Sequence, residues 1–229
     1  MIDDTFKNLK VIPIFSSLDD EELKEVQPYL IRDNFKKKQE IFSEGDPSDW
    51  FYILISGKVK ITKMSIDGRE IIIELISPPD FFGGFAVLKG FPYPANAVAM
   101  EDSNVIKISR HNLLKIIDRF PNVMYEMTAN LGDRIREFHD TLKNIALERV
   151  ESRIAALLLK LADKTGERKD NSILINMRLT KQDIAEMVGT TVETAIRIMS
   201  KFKKSGFIDD KDGKILIKDI GALELIVYP

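Results

Sequence analysis

The stretch "LTKQDIAEMVGTTVETAIRIMSKFKKSGFI", residues 179–208, holds two helix starts and one helix stop in a single short run. Thr180 can cap a first helix, Asp183 three residues on completes a capping box, and Leu179 is placed to staple against Ile184. Gly189 ends that helix after about two turns, since glycine takes positive φ without a Cβ clash. A second helix follows at once, capped by Thr190 or Thr191. Ala185, Gly189 and Ala195 are small at the positions where two helices would cross closely, the spacing of a helix-turn-helix.

The second helix sorts into two faces at helical spacing. Ala195, Ile198, Met199 and Phe202 fall on an inner face. Val192, Glu193, Ile196, Arg197 and Ser200 fall on an outer one, either the ragged outer face of an ordinary amphipathic helix or a surface shaped to the edges of DNA bases. Those types suit base edges: a carboxylate accepts from the cytosine amino group, a guanidinium donates to guanine, and Val192 and Ile196 fit thymine methyls. Lys181, Gln182, Thr190, Thr191 and Lys201 surround this face as candidate phosphate contacts, with Lys203 and Lys204 adding basic character. Downstream, "FIDDKDGKILIKD" places an Asp212-Gly213 turn between apolar runs, the pattern of a hairpin wing.

Upstream, residues 112–146 read as one long helix. Met124, Leu131, Phe138 and Ile145 recur every seven residues, and Thr128, Ile135 and Leu142 form the interleaved series of a heptad. Such a seam either packs on the chain's own β domain or needs a second helix. Its narrowness and length favour a parallel homodimer. The next helix starts near residue 148 with Val150, Ile154, Leu157, Leu158 and Leu161 on one face. The polar loop "DKTGERKDNS" and a strand "ILINM" then lead to residue 179. With no Pro/Gly-rich linker between the two helices, residues 147–149 read as a hinge.

From about residue 30 to 110 the pattern is short β-branched and aromatic runs such as "WFYILISGKVKITKM", "REIIIELI" and "NVIKIS". They are cut by turns at Gly45, Gly57 and Gly68. This is an antiparallel β-roll or jelly roll. It is preceded by a short helix in "SSLDDEELKEVQPYL" that Ser17 and Asp20 would start. The chain is thus α+β: an N-terminal antiparallel β-roll, a long coiled-coil dimerisation helix and a C-terminal winged helix-turn-helix.

Lys+Arg and Asp+Glu nearly cancel, 34 against 36 in 229 residues, so the total charge carries no partner signal. A local basic surface suffices for phosphate. The absence of cysteine excludes disulfides, thiolate zinc sites and cysteine-ligated iron–sulfur clusters. The N-terminus "MIDDTFKNLKVIPIF" lacks a basic flank and a signal-length apolar stretch, and no run is long enough to span a bilayer, so a cytoplasmic protein without a membrane partner is expected. Cupin-like metal enzymes need histidines clustered on adjacent strands, whereas His111 and His139 both lie outside the main run of β signals. No phosphate-cradling loop and no nucleophile–base pair is present, so the chain does not read as an enzyme.

The stretch at 179–208, with "IFSEGDPSDWFYILISGKVKI", "DFFGGFAVLKG" and the heptad helix, resembles the cyclic-AMP receptor / fumarate-nitrate regulator (Crp/Fnr) family of bacterial transcription factors over nearly the whole chain. The resemblance implies an effector-binding β-roll over 1–111, a dimerisation helix over 112–147 and a winged helix-turn-helix over 148–229. It implies a homodimer on double-stranded DNA, a palindromic operator with half-sites about one helical turn apart, and RNA polymerase as a further partner. Glu193 and Arg197 match the family's base-reading residues. Val192 stands where cyclic-AMP-responsive members carry arginine, as in the fumarate-nitrate branch; Ile196 departs from that branch's serine. An inner TGA/TCA core with thymine-rich flanks is the expected half-site.

The effector pocket implied by the resemblance comprises Gly83, Gly84, Phe85, Ala86, Pro94, Ala95, Phe138 and His139. Cyclic-nucleotide binders carry glutamate, arginine and serine where Gly84, Pro94 and Ala95 stand, and two hydroxyl residues where Phe138 and His139 stand. A cyclic phosphate left without its guanidinium loses several kcal/mol, roughly, which speaks against cyclic AMP or GMP bound in the usual way. The effector stays unknown. Haem, through His111, His139, methionines or the N-terminal amine, remains open as a gas-sensing (NO/CO) alternative, as does an effector-independent regulator. Phe81, Phe82, Phe85, Phe91 and Tyr93 either line an apolar pocket or belong to the β-roll core. No metal site is expected.

Overall fold

The computed structural model describes residues 9–169 and 172–228. The N-terminal amine and most of the stretch read for a targeting signal lie outside them. The chain divides into two compact units, Met1–Ile135 and Arg136–Pro229.

The first unit opens with 3-10 turns that bury Leu9, Ile14 and Phe15, followed by helix α1, Asp20–Val26. Its cap is Asp19, not Ser17. The Asp19 carboxylate accepts from the amides of Glu21 and Glu22 while Glu22 accepts from the Asp19 amide. Asp20, which a start at Ser17 would have used, is turned to Lys10 at 2.7 Å.

Eight strands follow: β1 (Ile31–Phe35), β2 (Glu40–Phe42), β3 (Trp50–Ser56), β4 (Val59–Met64), β5 (Glu70–Ile76), β6 (Asp80–Phe82), β7 (Asn96–Ala99) and β8 (Ser103–Ser109), with helix α2 (Gly84–Lys89) between β6 and β7. They form two antiparallel sheets, ordered β1-β8-β3-β6 and β2-β7-β4-β5. One apolar core takes Phe51, Ile53, Ile106 and Ile108 from the first sheet and Val59, Ile76 and Ala97 from the second. β3 reads as an unbroken apolar run because Phe51 to Leu54 are all buried, with helix α3 (Arg110–Arg119) also packed against it.

The long helix expected over 112–146 is two helices. Ser109 caps α3, which stops at Arg119; α4 runs from Pro121 to Leu147. Pro121 causes the break. It disfavours helical backbone in the residue before it, and Phe120 sits at φ −129, ψ 80, yet proline is well accommodated as the first residue of the new helix.

In the second unit α5 (Val150–Thr165) buries Ile154, Leu158 and Leu161. The polar stretch expected as a loop contains a strand: β9 (Gly166–Lys169) pairs antiparallel with β10 (Ser172–Ile175). The two-residue connection between them lies outside the described residues. Helices α6 (Lys181–Val188) and α7 (Val192–Lys204), strands β11 (Ile208–Lys211) and β12 (Lys214–Ile217) and helix α8 (Ile220–Val227) complete it, with a sheet ordered β11-β12-β10-β9. Asp212 and Gly213 both take positive φ, 53 and 76, the mirror-image turn that a two-residue hairpin prefers.

Candidate nucleic-acid interface

The two helices of the 179–208 stretch form from local signals. Thr180 caps α6, with its hydroxyl accepting from the Asp183 amide at 3.0 Å while Asp183 accepts from the Thr180 amide at 2.8 Å. Gly189 closes α6 at φ 64, and Thr191, not Thr190, caps α7. Ala195, Ile198, Met199 and Phe202 are buried, each large side chain contributing roughly 1.5–3 kcal/mol. On the opposite side Glu193, Ile196, Arg197 and Ser200 are exposed and Val192 is half-buried. Neither Glu193 nor Arg197 has a side-chain hydrogen bond or ion pair among the described residues. α7 thus presents a carboxylate, a guanidinium and two aliphatics with no intramolecular partner to exchange.

The candidate phosphate contacts are less uniform. Lys181 and Thr190 are half-buried, while the Thr191 hydroxyl accepts from the Thr194 amide at 3.3 Å. Gln182 donates to buried Glu186 at 2.6 Å, and Lys201 pairs with Glu151 at 2.8 Å. Lys203 sits between Asp209 and Asp210, both at 3.1 Å, which raises its pKa by hydrogen bonding to Asp209 first. These exposed pairs are weak and exchangeable. Sequence reasoning missed the wing cations. Arg178 is exposed beside the Gly213 turn, its Nε 3.8 Å from where a Cβ on Gly213 would stand, and Lys211 and Lys214 bracket that turn. Lysines either side of Asp-Gly were the available signal. Arg153 was missed too: it donates to the Ile145 carbonyl near the end of α4 at 3.0 Å and reaches the Gly189 carbonyl at 3.4 Å.

In the first unit Gly83 takes φ 77 at the start of α2, and Gly84 is buried. A Cβ on Gly84 would lie 2.9 Å from Phe51 and 3.2 Å from Met127. No longer side chain reaches out from this position as the backbone stands. Phe81, Phe82 and Tyr93 are core; Tyr93 stacks on Phe42 at 3.7 Å and its hydroxyl donates to the Trp50 carbonyl. Burial pushes the Tyr52 hydroxyl up to about 12 and that of Tyr93 higher still. Phe85 is exposed and meets Phe91 edge-on at 5.4 Å. Ala86 and Ala95 are buried, Pro94 exposed. His111, the second residue of α3, is exposed; Phe138 and His139 are exposed on the part of α4 in the other unit.

Along α4 the face that enters the β-roll core is Val123 and Met127, not the heptad seam. Met124 is half-buried, and Thr128, Leu131, Ile135, Phe138, Leu142 and Ile145 are exposed. Arg134 beside the seam reaches Glu74 at 2.9 Å, Asp80 at 2.8 Å, the Phe81 carbonyl at 2.5 Å and Asn130 at 2.7 Å. Glu137 takes Lys160 at 2.8 Å and Lys164 at 2.6 Å from α5. Burial alone would raise its carboxyl, but the two lysines outweigh it and hold it below the usual range. Among the described residues no helix is long and apolar enough to cross a membrane.

Two family models match the chain: a cyclic nucleotide-binding domain over residues 32–120 and a Crp-like helix-turn-helix domain over 152–226. The chain is 30% identical over 196 residues, 86% of each sequence, to a "CRP-like cAMP-activated global transcriptional regulator" of Mycobacterium tuberculosis. It is 29% identical over 220 residues, 96% of this chain and 99% of the relative, to the "Cyclic AMP receptor protein" of Thermus thermophilus. Among solved structures it is similar to FixK2 of Bradyrhizobium japonicum, with a TM-score of 0.77 at 22% identity over 86% of this chain and 96% of that one.

Proposed function

The chain belongs to the Crp/Fnr family of transcription regulators, and on that premise we propose that it acts as a homodimer whose two α7 helices read the halves of a palindromic operator. Crp-like helix-turn-helix regulators bind DNA and typically act as dimers, and they are not enzymes. The observation that carries the proposal is the outer face of α7, where Val192, Glu193, Ile196, Arg197 and Ser200 stand opposite the buried Ala195, Ile198, Met199 and Phe202. Glu193 and Arg197 read base edges, Val192 and Ile196 meet thymine methyls, and Lys181, Gln182, Thr190, Thr191 and Lys201 hold the backbone. Arg178, Lys211 and Lys214 add wing contacts to phosphate. The exposed heptad of Leu131, Ile135, Phe138, Leu142 and Ile145 supports the parallel pair. RNA polymerase is the further partner, and the cytoplasm the place of action.

The effector is not a cyclic nucleotide held in the usual way. The relative from Mycobacterium tuberculosis is named as cAMP-activated. Here Gly84 is closed in by Phe51 and Met127, and Pro94 and Ala95 supply no phosphate donor side chain. An effector held in the β-roll would act by shifting the dimer seam. Anisotropy titration of purified protein on operators varied around a TGA/TCA core tests the DNA reading; no preference for any base within the half-site defeats it. Ligand titration in the same assay, with an absorption spectrum for haem, tests the sensor: metabolite-free protein binding as tightly as every liganded form makes the β-roll a scaffold.

A further inference from the structure

Beyond Arg197, α7 carries three lysines, and carboxylates of its own unit hold two of them. Glu193, Arg197 and Lys201 follow one another at intervals of four residues, so they form one stripe along the outer face of the helix. At the end of that stripe the Lys201 ammonium meets the Glu151 carboxylate at 2.8 Å. Lys203 meets Asp209 and Asp210 of β11, both at 3.1 Å. Lys204 has no ion pair among the described residues.

The Lys201 side chain is 61% exposed and that of Glu151 34%, so the fold gains little stability from their pairing. Its weight falls on DNA binding instead. A lysine that turns to a DNA phosphate displaces a condensed counterion. A lysine that must first leave a carboxylate also uncovers a negative charge beside the phosphate it joins, and like charges inside the Debye length repel. Glu151 lies in the first turn of α5, where the amide dipoles favour a carboxylate with or without Lys201. The repulsion is the same on every sequence, because phosphates carry no base identity. Base contacts from Glu193 and Arg197 offset it on an operator alone.

We propose that Glu151, with Asp209 and Asp210, is an internal stand-in for the DNA backbone: these carboxylates occupy the α7 lysines in the free protein and lower its affinity for all DNA, so that base contacts decide which sites fill. The proposal rests on the reading of α7 as the DNA-facing helix. Fluorescence anisotropy of the full chain on a TGA/TCA-core duplex and a random-sequence duplex, across a salt series, tests it, with circular dichroism to verify folding. Glu151→Gln keeps a hydrogen-bonding side chain and removes the charge. Affinity for both duplexes then rises by about two- to fivefold per half-site, and the salt slope steepens by up to about 0.9 per lysine released. Asp209→Asn/Asp210→Asn does the same through Lys203. Exposed Asp163 lies twelve residues, or about 18 Å, along α5 from Glu151. Asp163→Asn removes a carboxylate beyond the screening length and changes neither quantity. Wild-type or lower affinity with unchanged slopes in the Glu151→Gln and Asp209→Asn/Asp210→Asn proteins overturns the proposal, and leaves the reading helix standing when Arg197→Ala loses the base preference. Arg197→Ala with its base preference intact overturns the reading of α7 itself. A rise that Asp163→Asn matches traces the effect to net charge and overturns the proposal as well.

Discussion

Arg197→Ala separates reading from holding. In the free protein Arg197 is exposed and without an ion pair among the described residues, while the side chains behind it are buried by α7's other face. Its removal should leave folding within about 0.5 kcal/mol of wild type, the ordinary range for a surface change. On DNA a bidentate guanidinium–guanine pair is worth about 1–3 kcal/mol, a factor of roughly 5–150 in affinity per half-site. A dimer loses it twice, so a full palindrome should weaken by about 2–6 kcal/mol while an operator already substituted at that base pair weakens far less. Fluorescence anisotropy on both operators across a salt series gives the numbers. Arg197→Lys keeps the charge but not the fork, so it should keep the salt slope and lose the base preference. A folded Arg197→Ala protein with wild-type operator affinity and base preference would refute the assignment of α7 as the reader. A uniform loss on all sequences, with the salt slope lowered by about 0.9 per lost contact, would move Arg197 to the phosphate backbone.

Gly84→Glu should not create a cyclic-nucleotide site. Its Cβ would press on Phe51 and Met127, and overpacking of this kind costs about 1–3 kcal/mol, visible as a lower urea midpoint without cyclic-AMP-dependent stabilisation. Phe202→Ala, at a fully buried position, should destabilise the C-terminal unit by about 3–5 kcal/mol and abolish DNA binding in proportion, as chemical denaturation and anisotropy on one sample would show. The Glu137 pairs give a pH signature. The folded carboxyl titrates below its ordinary 4.5, so its stabilisation is present above that value and disappears as pH falls through the lower, folded pKa. Glu137→Gln should flatten that acid limb of the stability profile, read by thermal melts from pH 6 downwards.

The helix-turn-helix was legible because its determinants are local. Thr180 with Asp183, the glycine at 189 and the alternation of buried and exposed positions after Thr191 need no distant contact to act. The β-roll was legible as a class for the same reason, through turn residues and β-branched runs. Pro121 was overlooked because the apolar residues Leu113, Ile116 and Ile117 continue the helical pattern up to it, and a proline at the first position of a helix leaves no loop to notice. Gly166 to Lys169 has no apolar alternation and so carries no strand signal of its own; the strand character of β9 comes from pairing with β10. Among its sequence neighbours Arg134 is one charge of several on a helix flank. Its acceptors lie on Glu74 and Asp80, far away in sequence, and only the fold brings them to it.

One guanidinium has a mechanical consequence. Arg153 grips the closing turn of α4 and the corner between α6 and α7 in one hand, while Glu137 clasps two lysines of α5. The bend at residues 148–149, which the chain's continuity suggests as a pivot, is thereby braced on both sides. The 136–147 part of α4, α5 and the corner before α7 are thus joined by side chains as well as by the run of the chain.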